Sequence, residues 1–166
     1  MQEKKTSESR ITMIIQMTQL DANLAGNVHG GVIMKHIDTT AGIVASRHAI
    51  SNVVTASIDR LDFHSPVYVG DLLRLHANLN YAGTTSMEVG VRIEAENFIT
   101  GEVRHTASAY LTLVALDEHG KPNKIPQLVL ETEDDVRRNR EAAIRREVRL
   151  KERLREKTEN RKNEGA

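Results

Sequence analysis

The sequence predicts an α+β domain in which a curved antiparallel sheet of about five strands wraps around one long central helix. Several segments alternate apolar and polar residues with a period of two, as strands with one buried face do. Only one segment before residue 130 has the spacing of a helix. That helix follows the first strand and precedes the others, an order that excludes a doubly wound parallel sheet because each parallel connection needs its own crossover.

The predicted strands are apolar or alternating runs separated by turn residues. The first two are rich in β-branched and apolar side chains, which favour strands. The last three are long, and Gly83 and Thr100-Gly101 between them favour hairpin connections. The strands are expected at residues 11–18, 53–61, 73–81, 87–96 and 103–116.

One segment between Gly31 and Arg47 has helical rather than alternating spacing. The run Thr39-Thr40-Ala41-Gly42 within it has small side chains that permit close packing. We therefore expect a central helix that is buried on most sides. Its apolar positions are Val32, Ile33, Met34, Ile37, Ala41, Val44 and Ala45.

Length and composition limit the classes of protein that the chain can represent. A chain of 166 residues is typical of one domain, and its 23 basic and 23 acidic residues cancel. The absence of cysteine excludes disulfides, thiolate catalysis and zinc–cysteine sites. We divide the chain into a flexible N-terminus (1–9), a domain (10–130) and a charged helical tail (131–166).

The predicted tail carries 12 of the 23 basic and 10 of the 23 acidic residues. Thr132 followed by Asp135 is typical of a helix start, and the pairs Glu141–Arg145 and Glu147–Lys151 have the spacing of supportive ion pairs. Two interpretations stay open. The tail is a solvated helix, or it also contacts a phosphorylated ligand or a neighbouring subunit.

Four stretches, in order, carry a resemblance to a known family: DANLAGNVHGGVIMKHIDTTAGIVASRH, NVVTASIDRLDFHSPVYVGD, YAGTTSMEV and PQLVLETEDD. Over roughly residues 10–140 the chain resembles the acyl-CoA thioesterases of the hotdog superfamily, especially the cytosolic or brain-type acyl-CoA hydrolases and their bacterial relatives. The resemblance implies a hotdog fold, which agrees with the strand and helix order above. It also implies an enzyme that hydrolyses fatty acyl-CoA to a free fatty acid and CoA.

The resemblance implies that Asn23 and Asp38 are catalytic. A carboxylate held within a partly buried helix can act as a general base or a nucleophile toward a thioester. From spacing alone, Asp38 is as well explained as a surface acid paired with Lys35. Asn23 can only hydrogen bond, to orient the water or the thioester. Asn27 is a rival to it, and either asparagine alone would suit a turn or a cap.

Two glycines and a histidine precede the helix at the point where its free N–H groups and partial positive charge would lie. Gly30 and Gly31 would let the thioester oxygen approach the backbone, or they only permit a tight turn. The resemblance makes the Gly31 N–H the expected group that polarises the carbonyl. His29 is expected to line the pocket or donate a hydrogen bond.

The resemblance also implies an assembly. Hotdog thioesterases place the active site between two subunits, so Asn23 of one chain is expected to face Asp38 of the other. A homodimer would then contain two complete sites, and a trimer of dimers, a hexamer, is expected by analogy. For CoA we consider the following residues, each of which is also explained as an ordinary surface residue: Arg60, His64, Thr84, Thr85, Ser86, Arg137 and Arg138.

Other partners are not expected. The seven histidines lack metal-ligand spacing, and the five aromatic residues are too dispersed for a nucleic-acid surface. We expect no metal, no cofactor beyond the CoA thioester substrate, no nucleic acid and no membrane span. The expected location is the cytoplasm.

Two other functions remain open. A hotdog dehydratase or hydratase would share the fold and the acyl thioester but typically pairs a histidine with an acid. A non-enzymatic hotdog module would sense acyl-CoA, although transcriptional versions usually carry a helix-turn-helix before the hotdog. The acyl chain length that would be preferred is not evident from the sequence.

Overall fold

The computed structural model describes residues 3–164, except for the side chains of residues 60, 157 and 159–164. In chain order the strands are β1 (Glu3–Lys5), β2 (Ile11–Gln16), β3 (Asn52–Phe63), β4 (Leu72–Ala82), β5 (Ser86–Asn97), β6 (Glu102–Leu116) and β7 (Gln127–Val129). The helices are α1 (Thr6–Ser9), α2 (Gly30–Ala49) and α3 (Glu133–Glu164), and a 3-10 turn spans Gln19–Asp21. The main sheet has the order β2-β4-β5-β6-β3 and is antiparallel throughout.

This sheet wraps around α2, as predicted. The alternating apolar residues of β4, β5 and β6 all point to one side and are buried against the helix. We call this side the inner face and the opposite side the outer face. The predicted hotdog fold is therefore confirmed, and each predicted strand lies within two residues of its observed bounds.

Helix α2 is less enclosed than predicted. Ile37, Ala41 and Val44 on one side are fully buried, whereas Met34 and Ile43 on the other are exposed. The expectation of burial on most sides is wrong within a single chain, because the sheet covers only one side of the helix. The uncovered side carries the exposed apolar side chains of Met34 and Ile43 among polar ones such as Asp38.

Strand β3 forms one edge of the main sheet and pairs with β6 alone among the described strands. Its register shifts twice, between Thr55 and Ser57 and again between Ile58 and Arg60. Such bulges redirect side chains and increase the local twist. Ile50, just before β3, caps α2 with a left-handed backbone (φ 54°) and is 65% exposed.

The N-terminal residues differ from the flexible segment that was predicted for residues 1–9. Strand β1 pairs in parallel with β7, and Thr6 and Ser9 of the following turn are buried. The Thr6 hydroxyl donates to the Asp135 carboxylate at 2.8 Å. A three-residue strand is too short to show periodicity, so it could not be predicted from the sequence. Residues 1 and 2 lie outside the described part of the chain.

Helix α3 begins as predicted and then docks on the outer face of the sheet. Its start has reciprocal hydrogen bonds, from Asp135 N–H to Thr132 Oγ1 (3.1 Å) and from Thr132 N–H to Asp135 Oδ2 (3.2 Å). Arg145 contacts Glu88 on β5 at 2.7 Å instead of the predicted Glu141. The first half of the tail is thus attached to the domain rather than solvated on all sides.

Candidate active site

A pocket of about 340 Å³ lies at the N-terminus of α2. It brings together three residues that the sequence analysis selected, Asn23, Gly30 and His64, with the rival Asn27 beside them. Apolar groups complete the wall, so a polar reacting group and an apolar chain both find suitable surfaces there. The apolar and small residues that line it are Val28, Ile33, Phe63, Ser65, Pro66 and Val67.

Asn23 organises the loop that leads into this pocket. Its side-chain oxygen accepts hydrogen bonds from the N–H groups of Ala25 (2.9 Å) and Asn27 (3.2 Å). Its own N–H donates to the Asn27 carbonyl at 2.7 Å, which closes the loop. Asn27 is therefore the partner of Asn23 in this turn. These hydrogen bonds use the side-chain oxygen of Asn23. Its side-chain nitrogen is a donor and is the atom available to a ligand.

The first turn of α2 is capped by a histidine. His29 precedes the helix in an extended conformation, and its Nδ1 accepts a hydrogen bond from the Gly31 N–H at 2.9 Å. A ring nitrogen can accept only when it carries no proton, so Nδ1 is the unprotonated nitrogen in this hydrogen bond. The N–H expected to polarise a thioester is thus occupied by the preceding side chain in the single chain.

Asp38 stands on the exposed side of α2, two turns after Gly31. Its Oδ1 accepts a hydrogen bond from the Thr55 hydroxyl on β3 at 2.6 Å. The carboxylate is exposed rather than partly buried as expected, because α2 turns this side away from the sheet. The hydrogen bond nonetheless fixes Asp38 in one orientation beside the edge strand.

One chain does not bring Asn23 and Asp38 together. Asp38 is not among the residues that line the pocket containing Asn23. It lies eight residues beyond Gly30 on the same helix, which is about 12 Å along the axis at 1.5 Å per residue. The single chain therefore contains two separate halves of the expected constellation.

Thr55 is a contact that the sequence analysis missed. It lies in an apolar and β-branched strand, where a threonine is unremarkable. The available signal was its position within the second stretch that carries the family resemblance, at Val53-Val54-Thr55-Ala56-Ser57. Only the fold reveals that its hydroxyl reaches Asp38.

The residues considered for CoA binding lie in different places. His64 lines the pocket, and the Arg60 side chain lies outside the described part of the structure. Thr84 and Thr85 lie in the β4–β5 turn and Ser86 begins β5, at the end of the sheet where β3 begins.

Arg137 and Arg138 lie on the outer face, away from the pocket. They border a second cavity of about 350 Å³ between α3 and the sheet. Both are paired with carboxylates, Arg137 with Glu141 (3.0 Å) and Arg138 with Asp135 (3.4 Å). Hydrogen bonds to Asp134 and Glu141 raise the pKa of Arg137.

Among residues 3–164 no group of three or more histidine, aspartate or glutamate side chains is arranged to hold a metal ion. No helix within that range has the length and apolarity needed to cross a membrane.

Comparison with known proteins gives consistent results. The family model of the thioesterase superfamily matches residues 25–100. The mouse cytosolic acyl coenzyme A thioester hydrolase is 40% identical over 134 residues, which is 80% of this chain but only 35% of the mouse protein. This chain thus spans about a third of that relative.

Solved structures match over nearly their full length. A hexameric acyl-CoA thioesterase without ligand is 41% identical, with a TM-score of 0.88 over 92% of this chain and 97% of that one. The acyl-CoA hydrolase of Staphylococcus aureus, in complex with butyryl coenzyme A, coenzyme A and coenzyme A disulfide, is 38% identical, with a TM-score of 0.87 over 94% and 95% of the two chains. The chain therefore belongs to the thioesterase superfamily, within its hotdog family of acyl-CoA thioester hydrolases.

Structures of three alanine variants of the S. aureus hydrolase also match this chain. The variants replace an asparagine, an aspartate and a threonine, and one of them contains coenzyme A. Each is 37% identical to this chain, with TM-scores of 0.89, 0.87 and 0.86, respectively. They cover 95%, 95% and 94% of this chain, and this chain covers 94%, 97% and 96% of theirs.

Proposed function

We propose that this protein is an acyl-CoA thioesterase that hydrolyses fatty acyl-CoA to a free fatty acid and CoA. The observation that carries the proposal is the hydrogen bond from Thr55 to Asp38, because it completes a set of three residues. In this chain Asn23 and Asp38 are 15 positions apart, and Asp38 and Thr55 are 17 apart. The asparagine, aspartate and threonine replaced in the S. aureus hydrolase have the same two spacings.

Hydrolysis of a thioester then requires an attacking oxygen and a stabilised carbonyl. The Asp38 carboxylate takes a proton from water while the water oxygen adds to the carbonyl carbon, and the carbon–sulfur bond breaks to release the CoA thiolate. The thiolate then takes the proton held by Asp38. In a variant of this scheme the carboxylate itself attacks the carbonyl carbon and the carbon–sulfur bond breaks to release the CoA thiolate. Water then hydrolyses the resulting anhydride to the fatty acid and Asp38, and the thiolate takes up the proton that this hydrolysis releases. Thr55 holds Asp38 in place, and neither version needs a metal or another cofactor.

Asn23 and the N-terminus of α2 would position the thioester. The Asn23 amide N–H can donate to the thioester oxygen or to the attacking water. The Gly31 N–H polarises the carbonyl once His29 Nδ1 releases it, and Gly30 leaves room for the oxygen to approach. His64 borders the same pocket and can contact the pantetheine part of CoA.

The site would be completed by a second subunit. The exposed edge of β3 and the uncovered side of α2 are adjacent, since the Thr55–Asp38 hydrogen bond joins them. Exposed apolar residues of a helix, here Met34 and Ile43, next to a strand edge favour association with a second copy. In such a dimer the Asn23 pocket of each chain would receive Asp38 of the other, so that two-fold symmetry gives two equivalent sites.

The larger assembly and the CoA contacts are further parts of the proposal. A hexamer, built as a trimer of dimers, is supported by the hexameric thioesterase that matches this chain. CoA phosphates would meet basic side chains. Arg60 is one candidate, and Arg137 and Arg138 are candidates where the outer face of a neighbouring subunit adjoins the pocket, while Thr84, Thr85 and Ser86 would line the channel. The cytosolic location of the mouse relative supports a cytoplasmic location here.

A thiol-release assay tests the activity directly. Wild type is compared with Asp38→Asn, Asn23→Ala and Thr55→Val across acyl-CoA chain lengths. We expect kcat to fall by about 10²–10⁴ for Asp38→Asn, the range for a lost general base, with the oligomer intact. Thr55→Ser, which keeps the hydroxyl, is the matched control for Thr55→Val.

The assay also separates the alternative functions. A dehydratase or hydratase would change the absorbance of an enoyl-CoA without releasing thiol, and a sensing module would bind acyl-CoA with no turnover. Full activity of Asp38→Asn on all substrates would contradict the assigned base.

Mixed oligomers test whether the site is shared. Asn23→Ala and Asp38→Ala chains are each expected to be inactive. When the two are refolded together, about half of the dimers contain one of each, and one of their two sites is intact. A shared site therefore restores about a quarter of wild-type turnover, whereas a site contained in one chain restores none.

A further inference from the structure

A buried ion pair lies behind the substrate pocket. Asp71, the residue before β4, is 4% exposed, and its Oδ2 accepts a hydrogen bond from Arg104 of β6 at 2.7 Å. The Arg104 guanidinium also lies 5.2 Å from the centroid of the Tyr68 ring. A buried carboxylate is costly unless it is paired, so the position of Asp71 is tightly linked to that of Arg104.

Asp71 holds a segment of backbone in place. Its Oδ2 also accepts from the Tyr68 N–H at 3.0 Å, and its own N–H donates to the Tyr68 carbonyl at 3.1 Å. Its carbonyl accepts from the Met17 N–H at 2.9 Å. The side chain and backbone of Asp71 thus fix Tyr68, within residues 65–70, which we call the wall segment, between the sheet and the end of β2.

The wall segment forms one side of the pocket and holds the other side. Ser65, Pro66 and Val67 line the pocket directly. The Val67 carbonyl accepts from the Val28 N–H at 2.8 Å, and Tyr68 forms an isolated bridge with Asn27.

That bridge links the wall segment to the loop that carries Asn23, because Asn27 is the residue that closes this loop. A continuous chain of contacts therefore runs from the sheet, through Arg104, Asp71 and the wall segment, to Asn23. Neither Asp71 nor Arg104 lines the pocket itself.

We propose that Asp71 and Arg104 are positioning residues of the thioesterase site, which set the distance between the wall segment and the loop that carries Asn23. The inference rests on the proposed function and deepens it. Because a misplacement of about 1 Å at a reacting group can reduce turnover by about 10²-fold, loss of the pair acts on kcat more than on KM. KM should change less, because CoA keeps its contacts with the other elements.

The test compares two buried ion pairs of equal length. Arg104→Met removes the partner of Asp71, and Arg104→Lys keeps the positive charge. The control is Arg145→Met, which removes a 2.7 Å partner of the buried Glu88 on the outer face, far from the pocket. Measurements are kcat and KM for acyl-CoA, the midpoint of thermal unfolding, and amide hydrogen exchange by segment.

The inference predicts that Arg104→Met lowers kcat by about 10–100-fold with KM changed by less than about threefold. Exchange should accelerate in residues 21–28 and in the wall segment, and Arg104→Lys should recover most of the rate. Arg145→Met should be destabilised without these local changes.

Two results would overturn the inference. One is Arg104→Met with wild-type kcat despite a lowered unfolding midpoint. The other is faster exchange spread evenly over the sheet. If wild type itself releases no thiol from any acyl-CoA, the proposed function fails, and the exchange pattern alone decides whether the pair holds the wall segment.

Discussion

Helices α2 and α3 cover the two faces of one sheet by different means. Helix α2 lies on the inner face through fully buried apolar side chains such as Ile37 and Val44. Helix α3 buries one hydrophobic residue, Ala142, among its described side chains, and it is attached mainly by ion pairs to Glu88. Hydrophobic contacts carry no charge to be screened or titrated, whereas the exposed parts of ion pairs are screened by salt.

This difference indicates where the molecule needs a fixed geometry. Asn23, Asp38 and the capping His29 all belong to α2 or to the loop before it. A helix anchored by apolar packing keeps these groups in place over a wide range of conditions. Helix α3 can loosen without disturbing them, since its contacts lie on the opposite face.

The largest effect on stability is expected from the inner face. Ile37→Ala removes a fully buried side chain of α2 and leaves a cavity, which should lower the free energy of unfolding by about 2–5 kcal/mol. Ile43→Ala, on the exposed side of the same helix, is the matched control and should cost less than about 1 kcal/mol in an isolated subunit. Denaturant unfolding measures both, and equal losses would contradict the described packing.

A smaller effect is expected from the outer face. Glu88→Gln keeps the shape of a side chain that is 1% exposed but removes its charge opposite Arg145 and Arg149. Because both arginines keep some contact with water, we expect a loss of roughly 1–2 kcal/mol and faster hydrogen exchange in α3. Glu141→Gln, which breaks an exposed pair, should cost less than about 0.5 kcal/mol. Unchanged exchange in α3 would show that the ion pairs do not hold it.

At the start of α2, the expected loss of stability is about the contribution of one helix cap. His29→Ala removes the acceptor for the Gly31 N–H and should lower stability by about 1 kcal/mol. If His29 only caps the helix, kcat stays within a few-fold of wild type, because the Gly31 N–H is then free for the thioester. A collapse of kcat would instead give His29 a direct role.

The smallest expected effect is a pH dependence of stability that comes from His48, near the C-terminal end of α2. His48 is fully buried, and its Nε2 donates to the Pro126 carbonyl at 2.9 Å. Burial lowers the pKa of His48 below its ordinary 6.5, although the Pro126 carbonyl partly opposes this. The unfolded chain therefore takes up a proton at higher pH than the folded chain, and stability should fall as the pH drops below about 6.5.

His48→Gln supplies the control for this prediction. Glutamine keeps a donor near the Pro126 carbonyl but does not titrate, so its stability should depend less on pH between 7.5 and 5.5. An unfolding free energy that changes equally with pH in both proteins would assign the dependence to other groups.

Much of the fold could be predicted because its signals are local. Alternation located β4, β5 and β6, and helical spacing located α2, since both patterns repeat over many residues. The contacts of α3 could not be predicted in the same way. Arg145 lies four residues after Glu141, yet it pairs with Glu88, which is 57 positions away.

The candidate site shows the same contrast between local signals and long-range contacts. The polar residues before α2 were selected from one short stretch, and the structure brings Asn23, Gly30 and His64 into one pocket. Thr55, Asp71 and Arg104 were not selected, because their partners come from distant strands or helices. Sequence periodicity reports which face a residue occupies, but it does not report which residue of another element lies opposite.

Ile50 gives this architecture a consequence beyond the single chain. A β-branched residue in a left-handed conformation is strained, and an exposed isoleucine gains nothing from burial. In a free subunit, glycine would be more stable than isoleucine at this position. In the proposed dimer, Ile50 adjoins the β3 edge, where a second copy would cover its side chain and the burial would offset the backbone strain.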